Sequence, residues 1–153
     1  MPVNVVAQTP SLFTVGMNIA GFVPDLAKRR VVALARFDDA LWVGSFDKGL
    51  CRLDGKGWQH FSGPEYLPSD MVHDMVASAS HLYVATHKGL AVVDARGKFR
   101  MYTREMCEED LKKKCPWYNT VNGVTIDAVT QTPWMVDTGS VHRIRGRRWL
   151  RFH

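Results

Sequence analysis

His73, Asp74 and His87 are the residues of this sequence that most invite a catalytic reading. An imidazole changes charge near neutral pH and can give or take a proton, provided a partner lies within hydrogen-bond reach. His73 and His87 are therefore the candidates for acid–base catalysis. Little else accompanies them: there is no Gly-rich phosphate loop, no nucleophile elbow and no metal-ligand spacing, and the six histidines are scattered. The expectation is a protein that is not an enzyme, with neither metal nor cofactor. A lyase or hydrolase using one of these histidines is the alternative.

Two further groups of residues could recognise a ligand. The stretch 104–120 is rich in acids and lysines and ends on Cys115-Pro116-Trp117-Tyr118. Glu108 and Glu109 precede Lys112–Lys114 at helical spacing, and Pro116 ends the run. Trp117 and Tyr118 beside it could stack on a planar or sugar ligand. The other group is basic. Residues 1–138 hold fifteen Lys/Arg against fifteen Asp/Glu, so the net charge of +5 falls on the last fifteen residues, with Arg143, Arg145, Arg147, Arg148 and Arg151 and no acid. By strand periodicity Arg143 and Arg145 share one face. This strip could guard an edge strand, bind phosphates, or meet acidic residues such as Asp38 and Asp39 of a second copy. Nucleic acid is the least favoured partner, because no RNA- or DNA-binding module is recognisable.

Cys51 lies in an apolar strand pattern and reads as a buried thiol. Cys107 and Cys115 are eight residues apart. On one helix their Cα atoms would stand about 12 Å apart, whereas a disulfide needs less than about 7 Å. A helix and a disulfide exclude each other there unless the segment bends.

These residues hang on a repeat. Leu41-Trp42-Val43-Gly44-Ser45 returns as Leu82-Tyr83-Val84-Ala85-Thr86 and, more loosely, as Pro133-Trp134-Met135-Val136-Asp137. Asp-Lys-Gly-Leu (47–50) is matched by His-Lys-Gly-Leu (87–90), and Leu53-Asp54 by Val93-Asp94. Each unit closes on aromatics three apart: Trp58 and Phe61, Phe99 and Tyr102, Trp149 and Phe152. Trp42 and Tyr83 are 41 residues apart, Tyr83 and Trp134 51, the excess being the 104–120 insertion. Each unit reads as four short strands joined by Gly, Asp and Asn turns. The third unit is expected at about 124–129, 134–138, 141–145 and 149–153. Four strands in some 40–45 residues is the period of a β-propeller blade.

The wording of the repeat resembles the two-component regulator propeller family: Leu41-Trp42-Val43-Gly44-Ser45, then Gly49-Leu50 and Leu53-Asp54, then Tyr66-Leu67-Pro68-Ser69-Asp70 before Val72. The likeness runs through residues 21–103 and more loosely through 121–153. It implies an all-β, propeller-type protein of four-stranded antiparallel blades. In that family such repeats form the extracytoplasmic sensors of hybrid histidine kinases, and similar blades occur in lyases and free-standing binding proteins. No kinase or output segment accompanies them here.

The parts expected are N-terminal strands and lead-in at 1–30, blades at 31–62 and 72–103, the insertion at 104–120 and a divergent blade at 121–153. Three to three and a half blades cannot close a ring, since propellers have four to eight. A homo-oligomer is therefore expected, with a dimer as its simplest form. Trp42, Tyr83 and Trp134 should lie between blades, with Gly44 and Ala85 letting the next sheet approach. A small molecule, glycan or protein would then bind at the channel mouth, touching Asp47, Lys48, Tyr66, His87, Lys88, Trp117 and Tyr118.

At 46% hydrophobic and 23% charged residues the chain is not of the disordered class. It has no apolar run of about 18 residues to span a membrane. The N-terminus lacks a basic stretch followed by an apolar one, so the cytoplasm is expected, or the periplasm or exterior if a signal has been removed.

Overall fold

The computed structural model describes residues 25–103, 120–145 and 148–152; within them nothing is described of the side chains of Ala27, Arg145, Arg148 and Trp149. After a 3-10 turn at Leu26–Lys28 the described chain runs through twelve strands. They are β1 (Val31–Phe37), β2 (Ala40–Ser45), β3 (Leu50–Asp54), β4 (Gly57–Phe61), β5 (Val72–Ala77), β6 (His81–Thr86), β7 (Gly89–Asp94), β8 (Phe99–Tyr102), β9 (Val121–Ile126), β10 (Pro133–Asp137), β11 (Val141–Arg145) and β12 (Arg148–Phe152). They form three antiparallel four-stranded sheets in sequence order, β1–β4, β5–β8 and β9–β12, here called blades 1, 2 and 3. The fold is all-β with propeller-type blades, and β1, β5 and β9 are the strands through which successive blades approach each other.

Successive side chains of a strand point to opposite faces, and the middle strands are buried almost without a break, so blade 2 packs on both of its faces. Blade 1 turns Phe37, Ala40, Trp42 and Leu50 toward Val72, Met75, Leu82, Val84, Ala91 and Val93 of blade 2. Blade 2 turns Tyr83, Ala85, Leu90 and Val92 toward Val121 and Met135 of blade 3. The aromatics three apart now have a reason. An odd spacing in a strand puts the two rings on opposite faces: Phe61 and Phe99 pack at the first junction, Tyr102 packs at the second, and Trp58 on the other face of blade 1. Trp42 behaves as expected of an interblade residue: it stacks on Phe61 of its own blade (centroids 5.5 Å) and meets Phe99 of blade 2 edge-on (6.3 Å). A smaller cluster of Val43, Cys51 and Trp58, with Leu53 against it, lies on the opposite face of blade 1. Burial pushes the Cys51 thiol pKa up, in keeping with the inert thiol expected.

The turns follow from side chains that replace backbone partners. Asp54 Oδ1 accepts the Lys56 N–H, and Asp94 Oδ1 accepts those of Arg96 and Lys98. Ser45 and Thr86 donate their hydroxyls to the Gly49 and Gly89 carbonyls. Both glycines have positive φ, and a β-carbon on either would run into the Phe61 or Tyr102 carbonyl oxygen, which explains the recurring Lys-Gly-Leu.

One strand differs from expectation. The strand expected at 124–129 is shifted: β9 starts at Val121 and ends at Ile126, so only the first half of the run Val124–Val129 is strand. Asp127 stops it by accepting the Val129 and Thr130 N–H groups through Oδ1, which leaves Val129 exposed in the turn. Those bonds hold the Asp127 carboxyl pKa below its ordinary value.

Candidate functional site at the strand ends of blades 1 and 2

All three blades carry the same irregularity. The register of β1 on β2 skips Val32, that of β5 on β6 skips His73, and that of β9 on β10 skips Asn122. A bulge leaves one residue outside the ladder and re-aims it. In blade 2 that residue is His73, and its ring meets two others from the loops that follow β2 and β6. It lies parallel to Phe46 at 6.1 Å between centroids (11° between planes) and edge-on to His87 at 5.7 Å. The Arg30 guanidinium carbon sits over the Phe46 ring, 4.2 Å from its centroid. The row Arg30, Phe46, His73, His87 thus crosses from blade 1 to blade 2.

Backbone bonds hold it in place. The Phe46 N–H donates to the Arg30 carbonyl (2.8 Å), the Gly49 N–H to the Asp70 carbonyl (2.8 Å) and the His87 N–H to the Met71 carbonyl (3.0 Å). Thr120 Oγ1 donates to the His87 carbonyl and ties in the chain leading to blade 3. The His73 pKa lies below its ordinary value. Partial burial is the largest cause and the neighbouring His87 adds to it, while a hydrogen bond to the Val121 backbone opposes them. Asp74, next in sequence, does not face this row as a catalytic partner. Its Oδ1 accepts the Met75 N–H and its Oδ2 the Val124 N–H (3.0 Å), so it pins β5 to β9.

The other expected ligand residues scatter. His87, Asp47, Lys48 and Lys88 are exposed on the loops after β2 and β6. Lys48 turns its ammonium to the Lys28 carbonyl, and its own carbonyl accepts from Arg29 and from the His60 ring. Tyr66 lies elsewhere: its ring is half-buried edge-on to Phe61 (5.3 Å) and Phe99 (5.2 Å), so its contacts are interblade packing. Trp117, Tyr118, Cys107, Cys115 and the expected helix at 104–120 lie outside the described residues, as do the N-terminal strands expected before residue 25.

The basic strip divides. Arg143 lies over the ring of its own blade's Trp134, 5.4 Å from the centroid, and Arg151 Nε donates to Ser140 Oγ at 2.7 Å. Arg145 and Arg148 are register partners across the β11–β12 turn. Sequence reasoning missed Arg30 as a site residue, and put Phe46, at the end of a strand, on a loop walling the channel mouth without marking it as a ligand contact. Only the stacking of neighbouring blades brings Phe46 to His73. Among the described residues no group of three or more His, Cys, Asp or Glu could hold a metal ion, and no helix is long and apolar enough to cross a membrane.

No protein-family model matches the chain, and no curated protein is significantly similar to it. Solved structures do match. Two crystal structures of the extracellular domain of BT4673 from B. thetaiotaomicron, described as a putative hybrid two-component system and a putative one-component system, align with TM-scores of 0.60 and 0.61. Identity is 21% and 18%, and each alignment covers 79% of this chain and 16% of that one. A gluconolactonase from Xanthomonas campestris aligns less closely, at 18% identity and a TM-score of 0.47, over 69% of this chain and 34% of that one. This chain therefore spans about a sixth of the length of the BT4673 domain, and the likeness is one of fold.

Proposed function

We propose that this chain is a non-enzymatic propeller module of the two-component regulator propeller type, and that it binds a small organic anion or acidic glycan at the row Arg30, Phe46, His73 and His87. The row carries the reading. It offers ring faces on which a sugar or planar ligand can lie, with the Arg30 guanidinium at one end to meet a carboxylate. Catalysis is the weaker reading for a geometric reason. His73 is engaged by the Val121 backbone, and neither His73 nor His87 has a carboxylate hydrogen-bonded to it among the described residues. An extracellular setting, the second of the two the sequence allows, agrees with the description of the BT4673 domains.

The test is an NMR titration following the His73 and His87 ring resonances, with glucuronate, galacturonate and their oligomers as probes and neutral sugars as controls. Saturable shifts with the acidic probes, lost in Phe46→Ala and Arg30→Ala, support the proposal. Resonances unmoved by every probe, in a protein whose strand signals are intact, refute it.

A further inference from the structure

The two junctions within the chain obey one rule, and the rule leaves one knob and one socket unused. Register equates Val31, Val72 and Val121, and likewise Leu34, Met75 and Val124. In blades 2 and 3 these residues are the knobs pressed into the preceding blade: Val72 and Met75 are 0% and 7% exposed and Val121 is 0%. In blade 1 the same positions are open, Val31 at 41% and Leu34 at 61%, and Leu41 beside them is exposed as well.

The socket shows the mirror image. Register equates Leu50, Leu90 and Val141, which are 0%, 1% and 43% exposed. Trp134 and Phe152 of blade 3 repeat the Trp42–Phe61 pair of blade 1, with centroids 5.6 Å apart against 5.5 Å. Arg143 lies on Trp134 as Arg52 lies on Trp42. In blade 1 this face is covered by Val72, Met75 and Phe99. In blade 3 it holds an open apolar hollow of about 250 Å³ whose walls include Asp74, Gly123, Trp134, Val136 and Val141. Val136 stands where blade 1 has Gly44 and blade 2 Ala85, so an incoming blade packs against its side chain here and cannot approach as closely as Val72 approaches Gly44. Arg143 Nε is buried there without a hydrogen-bond acceptor, a cost that the next blade's arrival would remove if it brought one. At the junction of blades 1 and 2 the incoming β7–β8 turn puts Asp94 on the wall of a cavity of about 320 Å³ that Arg52 also lines, while Arg52 itself pairs with Asp54 of its own blade. The register equivalent of Asp94 in blade 1 is Asp54.

We infer that the free face of blade 3 is the docking site for blade 1 of a second copy of this chain, with the partner's Val31 and Leu34 filling the hollow beside Trp134 and its Asp54 turn approaching Arg143. Among the described residues one knob and one socket stay open, so two copies related by a twofold axis along the channel satisfy both. Two sets of three described blades would then give a ring of six, within the four to eight common for propellers. The inference rests on the packing of the blades and not on the ligand reading, so either can fail without the other.

The experiment is light scattering on the full chain. The wild type is expected at twice the 17.3 kDa chain mass. Leu34→Asp removes the knob and Val141→Asp spoils the socket, and each alone should give a monomer with an unchanged far-UV spectrum. Mixed, the two variants should dimerise again, because one junction then joins two undamaged faces. A wild type that stays monomeric at every concentration overturns the proposal. So does a dimer that both variants leave intact, or folded variants whose mixture stays monomeric, since the contact would then be elsewhere or face to face. If Leu34→Asp does not fold, Leu34→Gln takes its place with the same outcomes.

Discussion

Gly44 and Val72 meet across the first blade junction so closely that a β-carbon on Gly44 would stand 2.8 Å from Val72 Cγ1. Val72 is fully buried and its short branched side chain has nowhere to go. Gly44→Ala is therefore expected to destabilise the protein by about 1–3 kcal/mol, as overpacking does. Chemical denaturation measures it. The double variant Gly44→Ala/Val72→Ala should lose less than the sum of the two single losses.

His142 and Asp137 are paired where blades 1 and 2 have simpler residues. His142 Nε2 lies 2.8 Å from Asp137 Oδ2, and both side chains are wholly buried. Register equates them with Ala91 and Thr86 of blade 2. Asp137→Thr alone takes this partner from the buried imidazole, and His142→Ala alone takes it from the buried Asp137 carboxylate, whose Oδ1 still accepts the Gly139 N–H. Each is expected to cost about 1–3 kcal/mol or more. Together they restore the blade 2 pair, so their combined loss should fall short of the sum by denaturant titration.

The depressed pKa of His73 makes stability depend on pH in a defined direction. The unfolded histidine titrates near 6.5 and the folded one below it, so the unfolded chain binds more protons between those values. The stability is fully present above pH 6.5 and is lost as pH falls from there through the folded value, levelling off beneath it. Melting curves at a series of pH values should show this fall, and His73→Gln should lessen it. His87→Gln should raise the His73 titration midpoint in an NMR titration, because one of the causes of the depression is removed.

Asp127 ends β9 by accepting two backbone N–H groups at 2.9 Å. Asp127→Ala is expected to lower stability, because two backbone N–H groups lose their acceptor. Asp127→Asn keeps an acceptor and should recover part of it, measured as a shift in the denaturation midpoint.

Much of this architecture was legible because its causes are local. Period-two apolar residues, Lys-Gly turns and Asp54 or Asp94 closing a hairpin all act within a few positions of themselves. The start of β9 was hidden for the opposite reason. Val121-Asn122-Gly123 has no alternation to read, since Asn122 is the bulge and Gly123 leaves room for Asp74, 3.6 Å from where a β-carbon would be. The site was half legible. His73 and His87 stood out by type, but Arg30 and Phe46 reach them only through the juxtaposition of two sheets. Tyr66, marked as a ligand residue by its loop, is claimed by Phe61 and Phe99, and no neighbouring letter announces that.

The bulge shared by the three inner strands separates two jobs that a β-strand ordinarily mixes. Val72 and Val121, just before His73 and Asn122, are committed to packing one blade on the next, and changing them disturbs a junction. The skipped residue is excused from the ladder, and in blade 2 that lets it reach across to Phe46 of blade 1. It has already drifted to an aliphatic, an imidazole and an amide without altering the register around it. Each blade thus offers one position where chemistry can be rewritten at little structural cost, and a ring built of such blades would present those positions as an interchangeable set around a fixed frame.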